Sequence, residues 1–145
     1  MAKKQSFTKM TVDEARDRLR AAGLRCTACR IAVLRHLAGR SNPVSHAEVA
    51  EPLAADGFDN STIYRSLVEF SEGGITARLD VGDHVWRFEL LSPDQEITDH
   101  AHFMCVDCGQ VTCADDVSIR VTGKSKSDLG QVTEVLLKGH CPTCQ

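Results

Sequence analysis

Aromatic residues are scarce in this chain of 145 residues, which contains one tryptophan, one tyrosine and five phenylalanines. Long apolar runs are absent as well, and none approaches the roughly eighteen residues of a membrane-spanning helix. The start of the chain, MAKKQSFTKMTVDEARDRL, has lysines but no apolar segment behind them, so we predict no secretory signal. We therefore expect a cytoplasmic protein that makes no use of a membrane.

Cysteine is plentiful by contrast, and the seven cysteines cannot all pair with one another. In a reducing compartment, cysteines are metal ligands, reactive thiols or core residues more often than they are disulfides. Two CxxC pairs stand out, Cys105 with Cys108 and Cys141 with Cys144. Each pair can form a tight turn that offers two thiolates, and two such turns suit tetrahedral Zn²⁺. We predict a closed, structural zinc site that stabilises a small module.

The charges are distributed unevenly along the chain, although the net charge is only −3. Up to Asp80 there are 12 Lys or Arg residues and 10 Asp or Glu, whereas from Val81 onward there are 5 and 10. This asymmetry favours two modules with different tasks, although so small an imbalance is also compatible with ordinary surface variation.

Four amphipathic segments, each with a helix start signal and a terminating glycine, occupy the first part of the chain. Thr11 with Glu14 and Ser45 with Glu48 both match the capping box. The predicted helices run from Thr11 to Gly23, from Thr27 to Gly39, from Ser45 to about Gly57 with a kink or early stop at Pro52, and from Asn60 or Ser61 to Gly73.

The fourth segment and the residues after it indicate a winged helix. The pattern places Ile63, Leu67 and Phe70 in the core and Thr62, Arg65, Ser66 and Glu69 outside. Apolar residues then alternate from Ile75 to Val81 and again from His84 to Leu90, with Gly82 and Asp83 predicted as the turn between two strands. In a winged helix, the last helix before the hairpin enters the DNA major groove.

The remainder of the chain predicts a second, smaller module. Residues 92–99 have the composition of a polar linker, and HFMCV, QVTCA and QVTEVLLK have the composition of strands. The predicted domains are therefore 1–91, 92–99 as the hinge, and 100–145.

Two further pairs of ligand-type residues have more than one interpretation. His100 and His102 share one face of a predicted strand and can bind one metal ion, or they can be solvated histidines at the strand entrance. Cys26 and Cys29 lie at a predicted helix start, where a redox or metal role competes with simple core filling.

Five segments together resemble the ferric uptake regulator (Fur) family of metal-dependent repressors: GLRCTACRIAVL, STIYRSL, the hairpin ending in FEL, HAHFMCVDCGQV and the terminal CxxC. The resemblance extends from about Thr11 to Cys144. It implies an α+β fold in which an N-terminal winged-helix DNA-binding domain precedes a small α/β dimerisation domain that contains the structural zinc site. It also implies a homodimeric transcriptional repressor that binds an AT-rich palindromic operator in double-stranded DNA.

The resemblance assigns functional residues as well. Ser61, Thr62, Tyr64 and Arg65 fall in the family's recognition-helix motif. Glu89, His100 and His102 match the regulatory metal site, which would bridge the two modules, whereas two positions depart from it. Pro43 replaces an expected histidine, for which His46 or His84 is a candidate substitute, and Cys113 replaces an expected carboxylate. A further metal site of some members is predicted to be absent, because Ala101, Arg120 and Thr133 occupy its positions.

The departure at Cys113 bears on the signal. A thiolate in place of a carboxylate favours Zn²⁺ over Fe²⁺ as the regulatory ion, with iron sensing and peroxide sensing as alternatives. Two other classes of function remain open: a zinc enzyme built on His100, His102 and Cys113 with Glu89 as acid or base, and a protein-binding zinc module. We expect no enzyme and no small-molecule substrate, since a winged helix in front of a catalytic site has no evident use.

Overall fold

The computed structural model describes residues 9–92, 101–120, 122, 129, 130, 132 and 134–145. The described residues belong to two compact units, 9–92 and those from 101 onward, and each unit is presented by itself. Apart from Ser92, the predicted hinge at 92–99 lies outside the described residues, so the domain boundaries stay a prediction. Within this part of the chain, no helix has the length and apolar character needed to cross a bilayer.

The first unit is a bundle of four helices closed by a three-stranded sheet. Its elements are α1 (Val12–Ala21), α2 (Ala28–Ala38), β1 (Val44–Ser45), α3 (His46–Ala55), α4 (Asn60–Glu72), β2 (Thr76–Asp80) and β3 (Trp86–Leu90). The strand order is β1-β3-β2 and both pairings are antiparallel. This arrangement confirms the predicted winged helix, in which β2 and β3 form the wing.

Two helix starts follow the predicted capping boxes. The hydroxyl of Thr11 accepts from the backbone N–H of Glu14 at 3.1 Å, and the Glu14 carboxylate accepts from the Thr11 N–H at 2.7 Å. Ser45 and Glu48 repeat the same exchange at the start of α3. These bonds satisfy amide groups that have no partner within the helix. The helix α3 continues past Pro52 and ends at Ala55.

The start of α4 differs from the prediction by one residue. The cap is Asp59, not Asn60 or Ser61, because its carboxylate accepts from the N–H groups of Ser61 at 3.0 Å and Thr62 at 3.2 Å. Ser66 was also predicted on the wrong face. It is buried, and its hydroxyl donates to the carbonyl of Thr62 at 2.9 Å, which satisfies the polar group inside the bundle.

The wing has a longer turn than predicted. The register pairs Asp80 with Trp86, so residues 81–85 form the connection, and a two-residue turn at Gly82 and Asp83 is wrong. The reason lies in two aspartates. The side chain of Asp80 accepts from the N–H of Gly82 at 2.9 Å, and that of Asp83 accepts from the N–H of Val85 at 3.2 Å. Such Asx turns compete with a tight hairpin.

The core of the first unit fixes α4 in place. Ile63, Leu67 and Phe70 are fully buried, as predicted, and each stabilises the fold by about 1.5–3 kcal/mol relative to an exposed position. At the edge of this core, the Arg30 guanidinium binds the Glu69 carboxylate, with Nε at 3.1 Å from Oε2, and links α2 to α4. Glu69 is therefore half-buried in an ion pair instead of facing outward freely.

The second unit contains one small sheet among its described residues. Its strands are β4 (Ala101–Cys105), β5 (Val111–Ala114) and β6 (Leu136–Gly139), in the order β5-β4-β6. The pair β4 and β5 is antiparallel, whereas β4 and β6 are parallel. The first two predicted strands are confirmed, whereas the third is confirmed only in its last part, because β6 begins at Leu136. The parallel pairing places the C-terminal cysteines beside the end of β4.

Candidate metal centre and nucleic-acid interface

The second unit brings both CxxC pairs to one place. Cys105 is the last residue of β4 and pairs with Gly139 of β6, so the turn after each strand begins at the same end of the sheet. The N–H of Gly109 donates to the carbonyl of Cys105 at 2.9 Å, and the N–H of Cys144 donates to the carbonyl of Cys141 at 3.0 Å. Gly109 has φ +73°, a conformation that glycine adopts without strain.

The four sulfur atoms have the spacing of a zinc site. The ligand atoms of Cys105, Cys108, Cys141 and Cys144 all lie within 4.8 Å of one another, and the sulfurs of Cys108 and Cys141 are 4.0 Å apart. Tetrahedral zinc with Zn–S bonds of about 2.3 Å separates its sulfurs by about 3.8 Å. These residues therefore fit Zn²⁺, with no position left for water or substrate.

Local electrostatics fit the same ion. The backbone N–H groups of Cys108 and Cys141 point at the sulfur of Cys105, the latter at 3.3 Å, and they lower the pKa of that buried thiol to about 6. Crowding by the other cysteine sulfurs, first that of Cys141, raises the pKa of Cys144 to about 12. Four thiolates this close need a cation, since zinc binds cysteine as thiolate.

A pair outside the sulfur cluster links the two turns. His140 Nδ1 lies 2.5 Å from the carboxylate of Asp107, and this contact raises the pKa of the imidazole. Asp107 lies within the first CxxC and His140 directly precedes the second, so the contact holds the two turns together. Nothing in the local sequence pattern marks this pair.

Two of the predicted regulatory ligands lie side by side on neighbouring strands of the sheet in the second unit. His102 of β4 is directly opposite Cys113 of β5, which puts both side chains on one face, with their ligand atoms within 4.8 Å. His102 is buried and Cys113 is half-buried. His100 lies outside the described residues. Glu89 is on β3 of the first unit, so its membership of the site stays a prediction.

The two candidate substitutes for the histidine missing at Pro43 have different surroundings. His46 is the first residue of α3, and its Nε2 lies 2.9 Å from the carbonyl of Asn60. Because that oxygen only accepts, Nε2 carries the proton and Nδ1 alone is left as a ligand atom. His84 is exposed in the turn of the wing, with φ +62°.

The predicted DNA-reading residues form one exposed surface on the first two turns of α4. All four are exposed: Ser61, Thr62, Tyr64 and Arg65. Tyr64, the single tyrosine of the chain, has 40% of its surface exposed. A cleft of about 560 Å³ lies beside them. It is lined by His46, Asn60, Ser61, Tyr64, Arg65 and Val68.

Cys26 and Cys29 have the surroundings of core residues. Cys29 is buried, its sulfur lies 4.0 Å from the hydroxyl oxygen of Ser66, and burial raises the pKa of its thiol. Cys26 packs against the same core, and its thiol donates to the carbonyl of Arg16 at 3.6 Å. These contacts fit the core-filling interpretation.

At the positions of the additional metal site, Ala101 is buried and Arg120 is exposed, whereas Thr133 lies outside the described residues. Neither described side chain offers a ligand atom to a cation.

Comparisons with known proteins agree with this architecture. The family model described as "Ferric uptake regulator family" matches residues 21–135. The peroxide-responsive repressor PerR of Staphylococcus aureus (strain Mu50 / ATCC 700699) is 34% identical over 103 residues, which cover 69% of this chain and 66% of PerR. The matched part of the chain thus spans just under two thirds of that relative's length.

Two solved structures share the fold. The ferric uptake regulator of Vibrio cholerae is 27% identical, with a TM-score of 0.67 over 87% of this chain and 98% of that one. The ferric uptake regulator of Helicobacter pylori, at 17% identity, superimposes with a TM-score of 0.69 over 95% of this chain and 97% of that one. With a family model that matches most of its length, the chain belongs to the ferric uptake regulator family.

Proposed function

We propose that this protein is a homodimeric, metal-responsive transcriptional repressor that binds a palindromic, AT-rich operator in double-stranded DNA. The observation that carries the proposal is the exposed surface of Ser61, Thr62, Tyr64 and Arg65 on the last helix before a wing. Polar and cationic side chains on such a helix suit contacts with phosphates and base edges. A repressor, PerR, is among the similar proteins.

The homodimer part of the proposal draws on the second unit. Several large apolar side chains of its described residues are exposed: Val106, Val117, Ile119, Leu129 and Val132. Exposed apolar surface on a small module favours burial against a partner, and a second copy of the chain is the commonest partner. Two recognition helices related by a twofold axis would then match a palindrome.

Two metal sites with different tasks complete the proposal. Cys105, Cys108, Cys141 and Cys144 hold a structural zinc ion, and Glu89, His100, His102 and Cys113 hold a regulatory divalent ion. Such an ion supplies positive charge and a fixed ligand geometry, which biases the protein toward its DNA-binding form. The Cys113 sulfur favours Zn²⁺ as the regulatory ion. Iron sensing and peroxide sensing are the alternatives, and the similarity to PerR is the finding that favours peroxide.

Selection from a random duplex library, with Zn²⁺ or Fe²⁺ present and with chelator, tests the proposal. We expect an AT-rich inverted repeat to be enriched only with metal. Binding should weaken as the salt concentration rises, because protein cations that neutralise DNA phosphates release counterions. Arg65→Ala should weaken binding by about 5- to 150-fold, since one good side-chain contact to a base edge contributes about 1–3 kcal/mol. Arg120→Ala, which removes the same charge from the second unit, is the matched control.

Other outcomes identify the competing functions. One such outcome is that the selection enriches no sequence and that Arg65→Ala does not change DNA affinity, while light scattering shows an intact dimer. This result would contradict DNA recognition by α4 and favour a protein-binding zinc module. Turnover of a substrate that disappears with Cys113→Ser would favour a zinc enzyme, because a catalytic zinc keeps an open position for water.

A further inference from the structure

We propose that His46 positions Tyr64 for DNA reading, which makes His46 a specificity-determining residue although it lies on α3, outside the recognition helix. The inference rests on the proposed function of α4. From the sequence alone, His46 is either a substitute metal ligand or simply a residue in the first turn of a helix. Its contacts in the first unit indicate a different role.

The two rings are in direct contact. The centroids of His46 and Tyr64 are 5.3 Å apart, and their planes meet at 73°, an edge-to-face geometry. Aromatic pairs of this kind attract one another beyond the apolar area they bury. Tyr64 is partly exposed, and the contact with the His46 ring restricts the orientations that its side chain adopts.

A hydrogen bond holds the imidazole against the same helix. Nε2 of His46 donates to the carbonyl of Asn60 at 2.9 Å. In an α-helix that carbonyl also accepts from the N–H four residues later, here the N–H of Tyr64. A carbonyl oxygen has two lone pairs and can serve both donors. His46 therefore contacts both the ring of Tyr64 and the carbonyl that holds its backbone.

The cleft beside α4 connects His46 with the proposed DNA-reading side chains. His46 and Tyr64 both line it, beside Ser61 and Arg65, so a change at His46 alters the wall from which the DNA-reading side chains project. A side chain already held in one orientation loses less conformational freedom on binding. We therefore expect His46 to increase affinity for the operator more than affinity for unrelated DNA.

A double-mutant cycle measured by fluorescence anisotropy tests this inference. The probes are the selected operator and a scrambled duplex of equal length, with the metal-loaded full chain. His46→Ala should weaken operator binding about three- to tenfold, the range expected for loss of an aromatic pair, and leave the scrambled duplex almost unchanged. In a Tyr64→Ala background the same substitution should have no effect, because its effect passes through Tyr64.

Two controls separate positioning from folding. Glu51→Gln changes an exposed residue of the same helix and should leave operator binding within about twofold of the wild type. Should His46→Ala fail to fold, His46→Gln takes its place, since the amide can still donate to Asn60 but offers no ring. It should show the same selective loss.

The inference is overturned by an equal loss on both duplexes, by an equal loss in the Tyr64→Ala background, or by no loss at all. Failure of the proposed function gives a different pattern. If Tyr64→Ala and Arg65→Ala both bind the operator as tightly as the wild type, α4 does not read DNA, and the inference on His46 fails with it.

Discussion

At the scale of single residues, Cys113 is the position on which the chemistry of the proposed regulatory site depends most. It lies opposite His102 across β4 and β5, and its sulfur is softer than the carboxylate that the family pattern contains there. Thiolate and imidazole together suit Zn²⁺, whereas carboxylates suit harder ions. A substitution at this one position should therefore change which metal binds.

Elemental mass spectrometry of purified protein before and after mild chelation checks the identity of the metal. We expect two zinc ions per chain, one of which is removed by the chelator. Cys113→Ser should lose the removable zinc and lower the affinity of that site at least about tenfold, since even changes to groups around a ligand cost 10–100-fold. Cys113→Asp, which restores a carboxylate, should shift the preference toward Fe²⁺ or Mn²⁺.

Cys26→Ser is the control for these substitutions, because it removes a thiol from the first unit and should leave the metal content unchanged. If the removable metal is iron or manganese and Cys113→Ser does not affect it, zinc sensing is wrong. A gain of one oxygen atom on His100 or His102, located by peptide fragmentation and distinct from oxidation of Met104, after Fe²⁺ and peroxide treatment would then favour peroxide sensing.

At the scale of elements, the cap of the recognition helix is the feature that a mutation tests best. Asp59 accepts from two N–H groups at the start of α4, which belong to Ser61 and Thr62 of the proposed DNA-reading surface. A carboxylate at a helix start also interacts favourably with the helix dipole. Asp59 therefore stabilises the turn from which the proposed DNA-reading side chains project.

Asp59→Ala should lower the free energy of unfolding by about 1 kcal/mol, and Asp59→Asn should retain most of it because asparagine caps nearly as well. Urea denaturation followed by circular dichroism measures both. Asp56→Ala is the matched control. It removes the same charge from an exposed residue shortly before Asp59 and leaves the cap of α4 in place. Equal losses in Asp59→Ala and Asp56→Ala would contradict the capping role.

Much of the fold follows from local sequence signals, and the exceptions have physical reasons. Capping boxes at Thr11 and Ser45 are complete within four residues, so the sequence predicts them well. Asp59, Asn60 and Ser61 are three consecutive cap-type residues, and only the path of the preceding chain decides among them. In the wing, the side chains of two aspartates bind the backbone and lengthen the turn, which the apolar alternation does not reveal.

Some features of the candidate sites were likewise predictable from local sequence, whereas others depend on tertiary packing. The four cysteines were predictable because each CxxC turn is local and the donor set is specific. The assignment of Cys113 needed the family resemblance, since nothing in the local spacing connects it with His102. The contact of His46 with Tyr64 depends on how α3 packs on α4, and the link between His140 and Asp107 depends on the pairing of β4 with β6. Local patterns do not contain such information.

At the scale of the whole molecule, we expect the second unit to depend on its proposed structural zinc ion. Among its described residues, the buried ones are Ala101, His102, Cys105 and Val111, which is a small core for a module of three short strands. Small cores supply little stability, and a structural zinc ion compensates for this by stabilising only the folded form. Loss of the zinc should therefore unfold this unit and cause the proposed dimer to dissociate.

Removal of the structural zinc by a strong chelator, or by Cys108→Ser, tests this dependence. Hydrogen exchange should lose its protection in β4, β5 and β6 while α2 and α4 remain protected, because the helices of the first unit have a core of their own. Light scattering should show a monomer, and operator affinity should fall toward that of a single half-site. Cys29→Ala, a change in the other unit, should leave the dimer intact. If the sheet of the second unit stays protected and the dimer persists without zinc, the four cysteines do not have the structural role assigned to them.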